Sequence, residues 1–415
     1  MNARSGAEAS WPAAGRAAQT WVVSAEVADY LGPRRTAKLD GTAYFSAVPA
    51  RIADMDPTNY LSASTARAAS EALQDLVWFA GRSRDLPPVM GSVLLRAESA
   101  SSSQIEHLTS SARRLAEAEL GLDSSQNARL ITANTAAMEH AIASTGALNE
   151  NRILEAHSIL MDQAPGVRAG AYRQVPVWIG GSNYAPVGAS FVGPAPSEVQ
   201  ALMEDLTGFI ERSSADALTT AAIAHAQFET IHPFEDGNGR TGRALAHMIL
   251  GRAGYSAAVP LPLSAGLLSA GSGYFSALEA YREGEPDPIV SVFAAAASEA
   301  SAFGLLLSDH VEALRDKWRA RVRARSDSSV WGVLDQLFAN PVVSIPYIAR
   351  ALGISDPAAM RAIHALADAG VLEQSGRDRR QKSWRAPEVL ELLDEVAYSA
   401  PRRSLVERTA APDNP

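Results

Sequence analysis

The chain of 415 residues has no cysteine. That absence excludes disulfides, zinc-thiolate sites, iron-sulfur clusters and cysteine nucleophiles together. Positive charge is also in short supply: 37 Lys and Arg stand against 46 Asp and Glu, a formal net charge of −9. A globally basic nucleic-acid coat is thereby excluded. No uninterrupted apolar run of about 18 residues occurs, and the first 18 residues, MNARSGAEASWPAAGRAA, lack the apolar centre of a secretory signal. The expectation is a soluble cytoplasmic protein with no membrane partner. With 47% hydrophobic and 20% charged residues the chain can bury cores, and its length suggests two or three domains.

Residues 1–19 are small and polar, so a disordered tail is expected there, with order starting near Trp21. From about Leu73 to Leu250 apolar residues recur at helical spacing, and helical spacing resumes from Pro262 to about Arg323. The fold class expected is mainly α. The exception is 173–194, where Val175, Val177 and Ile179 alternate up to Gly180-Gly181 before Phe191 and Val192, the pattern of a β-hairpin with a glycine turn. A boundary is placed near Asp327. Beyond it, three short helices and a hairpin, with Gly353 between helices two and three, give a winged helix-turn-helix domain over 328–400. The remaining divisions are an N-terminal helical region at 20–125 and a core at 126–315.

The stretch 221–254 carries the chemistry. A helix ending near Ile231 is stopped by Pro233, and an amphipathic helix starts near Asn238 or Gly239. Gly237 and Gly239 leave backbone N–H groups uncovered at the positive end of that second helix, which suits phosphate oxygens. Arg240 and Arg243, one turn apart, add two guanidinium forks. Asp236 lies at the lip of this polyphosphate cradle, where a carboxylate suits Mg²⁺. His232 supplies a group able to take a proton from an attacking hydroxyl. An alternative is that His225, Glu229 and His232, at i, i+4 and i+7, form one metal-ligating stripe; Pro233 ends the helix directly after it and no further ligand follows, so a packed His225 is preferred. Gly-Asn-Gly by itself is a common turn.

The whole string His232-Pro233-Phe234-Glu235-Asp236-Gly237-Asn238-Gly239-Arg240-Thr241-Gly242-Arg243 resembles the Fic family signature H-P-F-x-[D/E]-G-N-G-R-x-x-R at every fixed position. Tyr44-Phe45 to Pro49-Ala50-Arg51-Ile52, the segment 156–161 and Pro165-Gly166 to Tyr172-Arg173 are similar to other parts of that family, and the hairpin at 175–192 falls where the family has its flap. Roughly residues 20–310 are covered. The resemblance implies a Fic helical bundle with a β-hairpin flap, transferring AMP from ATP to a Ser, Thr or Tyr hydroxyl of a target protein and of itself. Carried over, His232 is the base, Asp236 the magnesium ligand, Gly237, Asn238, Gly239 and Arg240 the phosphate holders, and Arg243 the γ-phosphate ligand. Phe234 plugs into the core. Val177 and Ile179 of the flap dock the target by strand addition. Tyr274-Phe275 is the family-like place for an adenine contact, with Phe275 the ring assigned to ATP and core packing expected for at least one of the two.

Ser102-Ser103-Gln104-Ile105-Glu106 is similar to the family's inhibitory helix signature [S/T]-x-x-x-E-[G/N], with His107 in place of Gly or Asn, so a different helix C-cap is expected. The resemblance implies that Glu106 pairs with Arg243 and restrains the enzyme. The same Glu106 supports a rival direction, removal of AMP from a modified protein. A homodimer is compatible with this arrangement. In the C-terminal domain, Arg377, Arg379, Arg380, Lys382 and Arg385 against Asp378 make a basic wing suited to DNA phosphates, yet helix 356–369 offers only Arg361 and His364 as readers. An interaction module is favoured over DNA binding, and a DNA-binding regulator with a nucleotide-sensing Fic part stands as the different-class reading.

Overall fold

A computed structural model describes residues 10–83, 89–123, 125–143, 146–255, 260–375 and 382–395. Among these the fold is mainly helical, with three small antiparallel sheets. The described residues group into two compact units, one within Met1–Ser70, Ser144–Ala253 and Ser272–Phe293, the other within Glu71–Ala143, Gly254–Gly271 and Ala294–Pro415.

The first unit opens with strand β1 (Gly15–Thr20), paired with β2 (Ala43–Val48) from Gly15↔Val48 to Thr20↔Ala43. This corrects the expected tail: residues 1–9 lie outside the described residues, but order is present well before Trp21. Trp11 is buried, edge-on to Tyr60 at 5.3 Å, and Ala14 N–H donates to Arg282 O at 2.7 Å. Small residues carry little hydrophobic signal, and here the partner strand and one indole supply what the local composition lacks. Helices α1 (Ala25–Leu31) and α2 (Pro33–Leu39) lie between the strands in sequence, α1 starting on a Ser24 cap and α2 with proline in its first turn.

Then follow α3 (Glu150–Met161), the flap strands β3 (Trp178–Ile179) and β4 (Phe191–Val192), α4 (Val199–Arg212), α5 (Ala217–Ile231), α6 (Asn238–Arg252) and α7 (Ser272–Arg282). Asp216 caps α5, accepting Thr219 N–H at 2.8 Å. Every residue of α5 from Leu218 to Ile231 is buried, so this is the axial helix of the unit. Helix α6 runs close against it because position 242 is glycine: a Cβ there would sit 3.0 Å from both His225 Nδ1 and Phe228 Cδ1. The paired flap strands are two residues long, Trp178↔Val192 and Ile179↔Phe191, and Gly180 and Gly181 take φ of 77° and 71° after the first.

In the second unit, helix Val89–Ile105 carries a run of buried serines, and Asn134 of helix Gln126–Ala143 donates to Ser99 O and Ser103 Oγ. The helix ends in a Schellman arrangement: His107 N–H donates to Gln104 O at 2.9 Å and Leu108 N–H to Ser103 O at 3.0 Å. His107 itself takes φ 59°. The expected change of cap is therefore absent, since the histidine adopts the left-handed backbone that Gly or Asn would fill.

Further along the same unit are helices Ser329–Ala339, Ile345–Leu352 and Asp356–Asp368, and a three-stranded sheet with Ser383–Arg385 between Val342–Val343 and Glu373–Ser375. This is the winged helix. Gly353 takes φ 63° at the turn between its second and third helices. Arg377, Arg379 and Arg380 lie outside the described residues; Arg385 pairs with Glu373 at 3.0 Å. In helix Asp356–Asp368, Arg361 and His364 are exposed.

Helix Asp287–Arg321 qualifies the expectation about apolar runs. By length and composition it could cross a membrane, with a mean hydropathy of 1.7 over 18 residues, 56% of that stretch being buried inside the protein. Charges such as Glu299 interrupt the run, so no unbroken apolar stretch marks it in the sequence; a core helix carries the same signature.

Candidate functional site

The signature residues occupy the turn from α5 to α6. His232 is the C-cap of α5 in the left-handed region, φ 49° and ψ 62°, with its N–H donating to Phe228 O at 2.8 Å. Pro233 has no N–H to continue the helix, so the chain leaves α5 at this residue. Further along the turn, Gly237 takes φ 78° as the N-cap of α6, offering no side-chain cap to the first turn. A Cβ at 237 would lie 2.9 Å from Met161 Sδ, so glycine is required both for φ and for the approach to α3.

Between them Phe234 is fully buried. His157 of α3 stacks on it at 3.6 Å with the planes 4° apart, and Tyr172 and Phe228 flank it at 5.8 and 6.1 Å. Asn238 closes the turn: its Oδ1 accepts Phe234 N–H and its Nδ2 donates to Phe234 O, both at 2.9 Å. The resemblance assigns Asn238 to phosphate; in the structure both ends of its carboxamide are engaged in shaping the loop. His157 Nδ1 accepts Gly170 N–H at 3.0 Å, which leaves Nε2 to donate to Asp236 O at 3.1 Å. Burial pushes the His157 pKa down to about 4, against its contact with Asp236 O, so the ring is neutral at physiological pH.

Asp236 is well exposed, its carboxylate 61% accessible, with Oδ1 accepting Gly237 N–H at 2.6 Å and lying 3.7 Å from Arg240 Nη2. Arg240 and Arg243 are both buried within α6. The N-terminus of α6, two buried guanidinium groups and one exposed carboxylate thus stand together. One exposed hard-oxygen donor fits Mg²⁺, which binds through one or two carboxylates and takes its other ligands from water and phosphates.

On the other side of His232, Glu229 Oε2 approaches Nδ1 at 3.6 Å. Burial would push the Glu229 carboxyl up, but the contact with His232 and the electrostatic attraction of His225, His232 and the Arg243 guanidinium outweigh it and hold the pKa at about 2. The i, i+4, i+7 stripe therefore splits: Glu229 faces His232, while His225 Nε2 is 2.7 Å from the Tyr274 hydroxyl in the core. Tyr274 is buried and Phe275 is exposed, so of the two aromatics Phe275 presents its ring to solvent. Phe191 of the flap stands edge-on to His232 at 6.4 Å and carries the Arg282 guanidinium 3.9 Å over its ring. Ile179 is exposed and Val177 partly so, and a cavity of about 700 Å³ beside the flap is lined by Tyr44, Phe45, Val187, Phe191, Glu279 and Arg282.

Arg173, His157 and Glu229 are the side chains whose roles at the turn sequence reasoning missed. Tyr172-Arg173 carries only a family likeness in the sequence, and Glu229 only its place in the stripe. Glu106 belongs to the second unit, where it follows helix Val89–Ile105 and is exposed.

A helical unit with a glycine turn, a left-handed histidine and a flap defines a class, and comparison with known proteins agrees with it. Residues 147–250 match the Fic/DOC family and residues 327–381 the MarR family, so the chain carries a Fic domain followed by a MarR-type winged helix. The protein adenylyltransferase fic-1 of Caenorhabditis elegans is 32% identical over 152 residues, 36% of this chain and 27% of the relative. The protein adenylyltransferase Fic of Drosophila grimshawi is 34% identical over 106 residues, 25% of this chain and 20% of the relative. The chain thus spans about a quarter of the length of these curated relatives. The crystal structure of a Fic family protein from Desulfovibrio desulfuricans G20 shares the fold, with a TM-score of 0.51 at 22% identity, over 77% of this chain and 95% of that one.

Proposed function

We propose that this chain is a protein adenylyltransferase that moves AMP from ATP to a hydroxyl of a protein, itself included. The observation that carries the reading is the single turn that sets His232 beside a helix N-terminus flanked by Arg240 and Arg243. With Nδ1 turned toward Glu229, Nε2 is the nitrogen left for a target hydroxyl. The hydroxyl oxygen attacks the α-phosphorus as its proton passes to His232. A new P–O bond forms, the bond to the β-phosphate oxygen breaks, and pyrophosphate leaves with the electron pair. Glu229 stabilises the imidazolium that results. Backbone N–H groups of the first turn of α6, with Arg240, hold phosphate oxygens, and Arg243 takes the γ-phosphate. Mg²⁺ on Asp236 would neutralise phosphate charge. Phe275 borders the adenine, and Val177 and Ile179 receive an extended segment of the target.

Intact mass measurement after incubation with ATP and Mg²⁺ tests this: an added AMP mass is expected, absent in His232→Ala and in Arg243→Ala. The reading includes a brake at Glu106. Its removal in Glu106→Gly is expected to raise self-labelling, and unchanged labelling would remove the brake while leaving the transferase in place.

The winged helix is read as an interaction module. A salt-dependent gel shift with the full chain decides against that if duplex DNA is retained.

A further inference from the structure

We infer that Arg173 is a positioning residue that locks the His232 turn and both feet of the flap into one piece. This rests on His232 being the base. Arg173 follows Tyr172 in the loop leading to the flap and is 2% exposed. Its Nε donates to His232 O at 2.8 Å, Nη1 to Val175 O at 3.1 Å, and Nη2 to Pro194 O at 2.6 Å and Ile231 O at 3.4 Å. Its own N–H donates to Pro233 O at 2.9 Å. Val175 precedes strand β3 and Pro194 follows β4, so one guanidinium ties the two ends of the flap to the exit of α5.

The acceptors explain the residue type. Ile231 and His232 carry C=O groups at the end of α5, which have no partner within a helix and need one elsewhere. A planar fork with five N–H groups can meet acceptors from three segments in one plane; a lysine ammonium offers three donors from one point. All four side-chain acceptors are main-chain carbonyls, so this buried cation is compensated by dipoles. Burial lowers its pKa to about 10, with the Tyr44 hydroxyl opposing, which leaves it charged at neutral pH.

The bond to His232 O also addresses strain. Left-handed backbone is strained for a residue other than glycine, and persists where its surroundings over-determine it. Arg173 holds the carbonyl of the strained residue itself. Gly193 completes the device: a Cβ there would meet Arg173 Nη2 at 2.9 Å and Val177 Cγ2 at 3.4 Å. Gly193→Ala therefore pushes the guanidinium aside without removing it.

The test uses the full chain carrying Arg173→Ala, Arg173→Lys, Gly193→Ala or His232→Ala, each also combined with Glu106→Gly. AMP incorporation is measured across ATP concentrations, with nucleotide affinity by calorimetry and the folded fraction by thermal melting. Displacement of a reacting group by about 1 Å can cost 100-fold. The expected result is a kcat lower by roughly that factor in Arg173→Ala, with ATP affinity within about threefold of wild type, Arg173→Lys close to it, and Gly193→Ala in between. Millimolar methylguanidinium is expected to restore part of the rate to Arg173→Ala and none to His232→Ala. A folded Gly193→Ala with wild-type kcat overturns the inference, even where Arg173→Ala fails to fold. So does a loss in Arg173→Ala that the unfolded fraction accounts for in full. Labelling by His232→Ala would instead sink the transferase reading.

Discussion

Among the described residues, two that are not glycine have a positive φ, and both are histidines that follow the last turn of a helix: His232 at 49° and His107 at 59°. Their surroundings differ. His232 is held from every side, by Arg173 on its carbonyl, Glu229 beside its ring, the flap's Phe191 at its edge and the fully buried Phe234 two residues on. His107 is exposed, and its backbone is fixed by the capping bonds of its own helix. Left-handed backbone alone therefore does not mark a reactive residue. What separates the two is that His232 is also held by Arg173 and Phe191 from distant parts of the chain, whereas the bonds at His107 are those of its own helix and fix only where that helix stops.

Making one substitution at both places breaks the comparison open. Glycine relieves the backbone at either site, yet His232→Gly is expected to lower AMP incorporation at least 100-fold, the size of a lost general base, while His107→Gly keeps it. Initial-rate labelling checks both, and equal losses would make the two histidines alike after all.

The next effect is in stability against pH. His157 has a folded pKa of about 4 against an ordinary 6.5, so the unfolded chain binds a proton that the folded one refuses. Stability is therefore whole above pH 6.5 and falls as pH drops toward 4, by up to about 3 kcal/mol. Glu229, held at about 2, contributes stability present above its ordinary 4.5 and lost as pH falls toward 2. Urea midpoints between pH 7 and 4.5 should fall on the first limb, and His157→Phe should flatten it.

Gly237→Ala comes third. It places a Cβ 2.9 Å from Met161 Sδ at φ 78°, and a loss of about 1–3 kcal/mol with weaker ATP binding is expected by urea titration and calorimetry. The smallest effect is on the exposed side: His107→Gly should change stability by no more than about 1 kcal/mol, read as a small rise in the melting temperature.

The turn itself was legible because its signals are local. Pro233 and the glycines set the ends of α5 and α6, and both boundaries fall where the sequence put them. The hairpin before it was readable for the same reason, from alternation and paired glycines. What holds the turn was not legible. Arg173 acts across 59 residues to His232, and His157 across 79 to Asp236; pairing at that range leaves no periodic trace. That the Asn238 carboxamide shapes the loop was not legible either, because a position in a string says nothing about which way a carboxamide faces. Strand β1 escapes a sequence reading because its small residues give a weak pattern that only the pairing with β2 completes.

The two bonds from Asn238 to Phe234 have one more result. They shape the loop with no ligand present, so under the proposed function binding would spend no energy ordering it and the phosphates would meet a ready-made socket. A socket indifferent to what hangs from the triphosphate cannot choose between nucleobases. Under the proposed function, discrimination among ATP, GTP and UTP would then fall to the far end of the ligand, with exposed side chains such as Phe275.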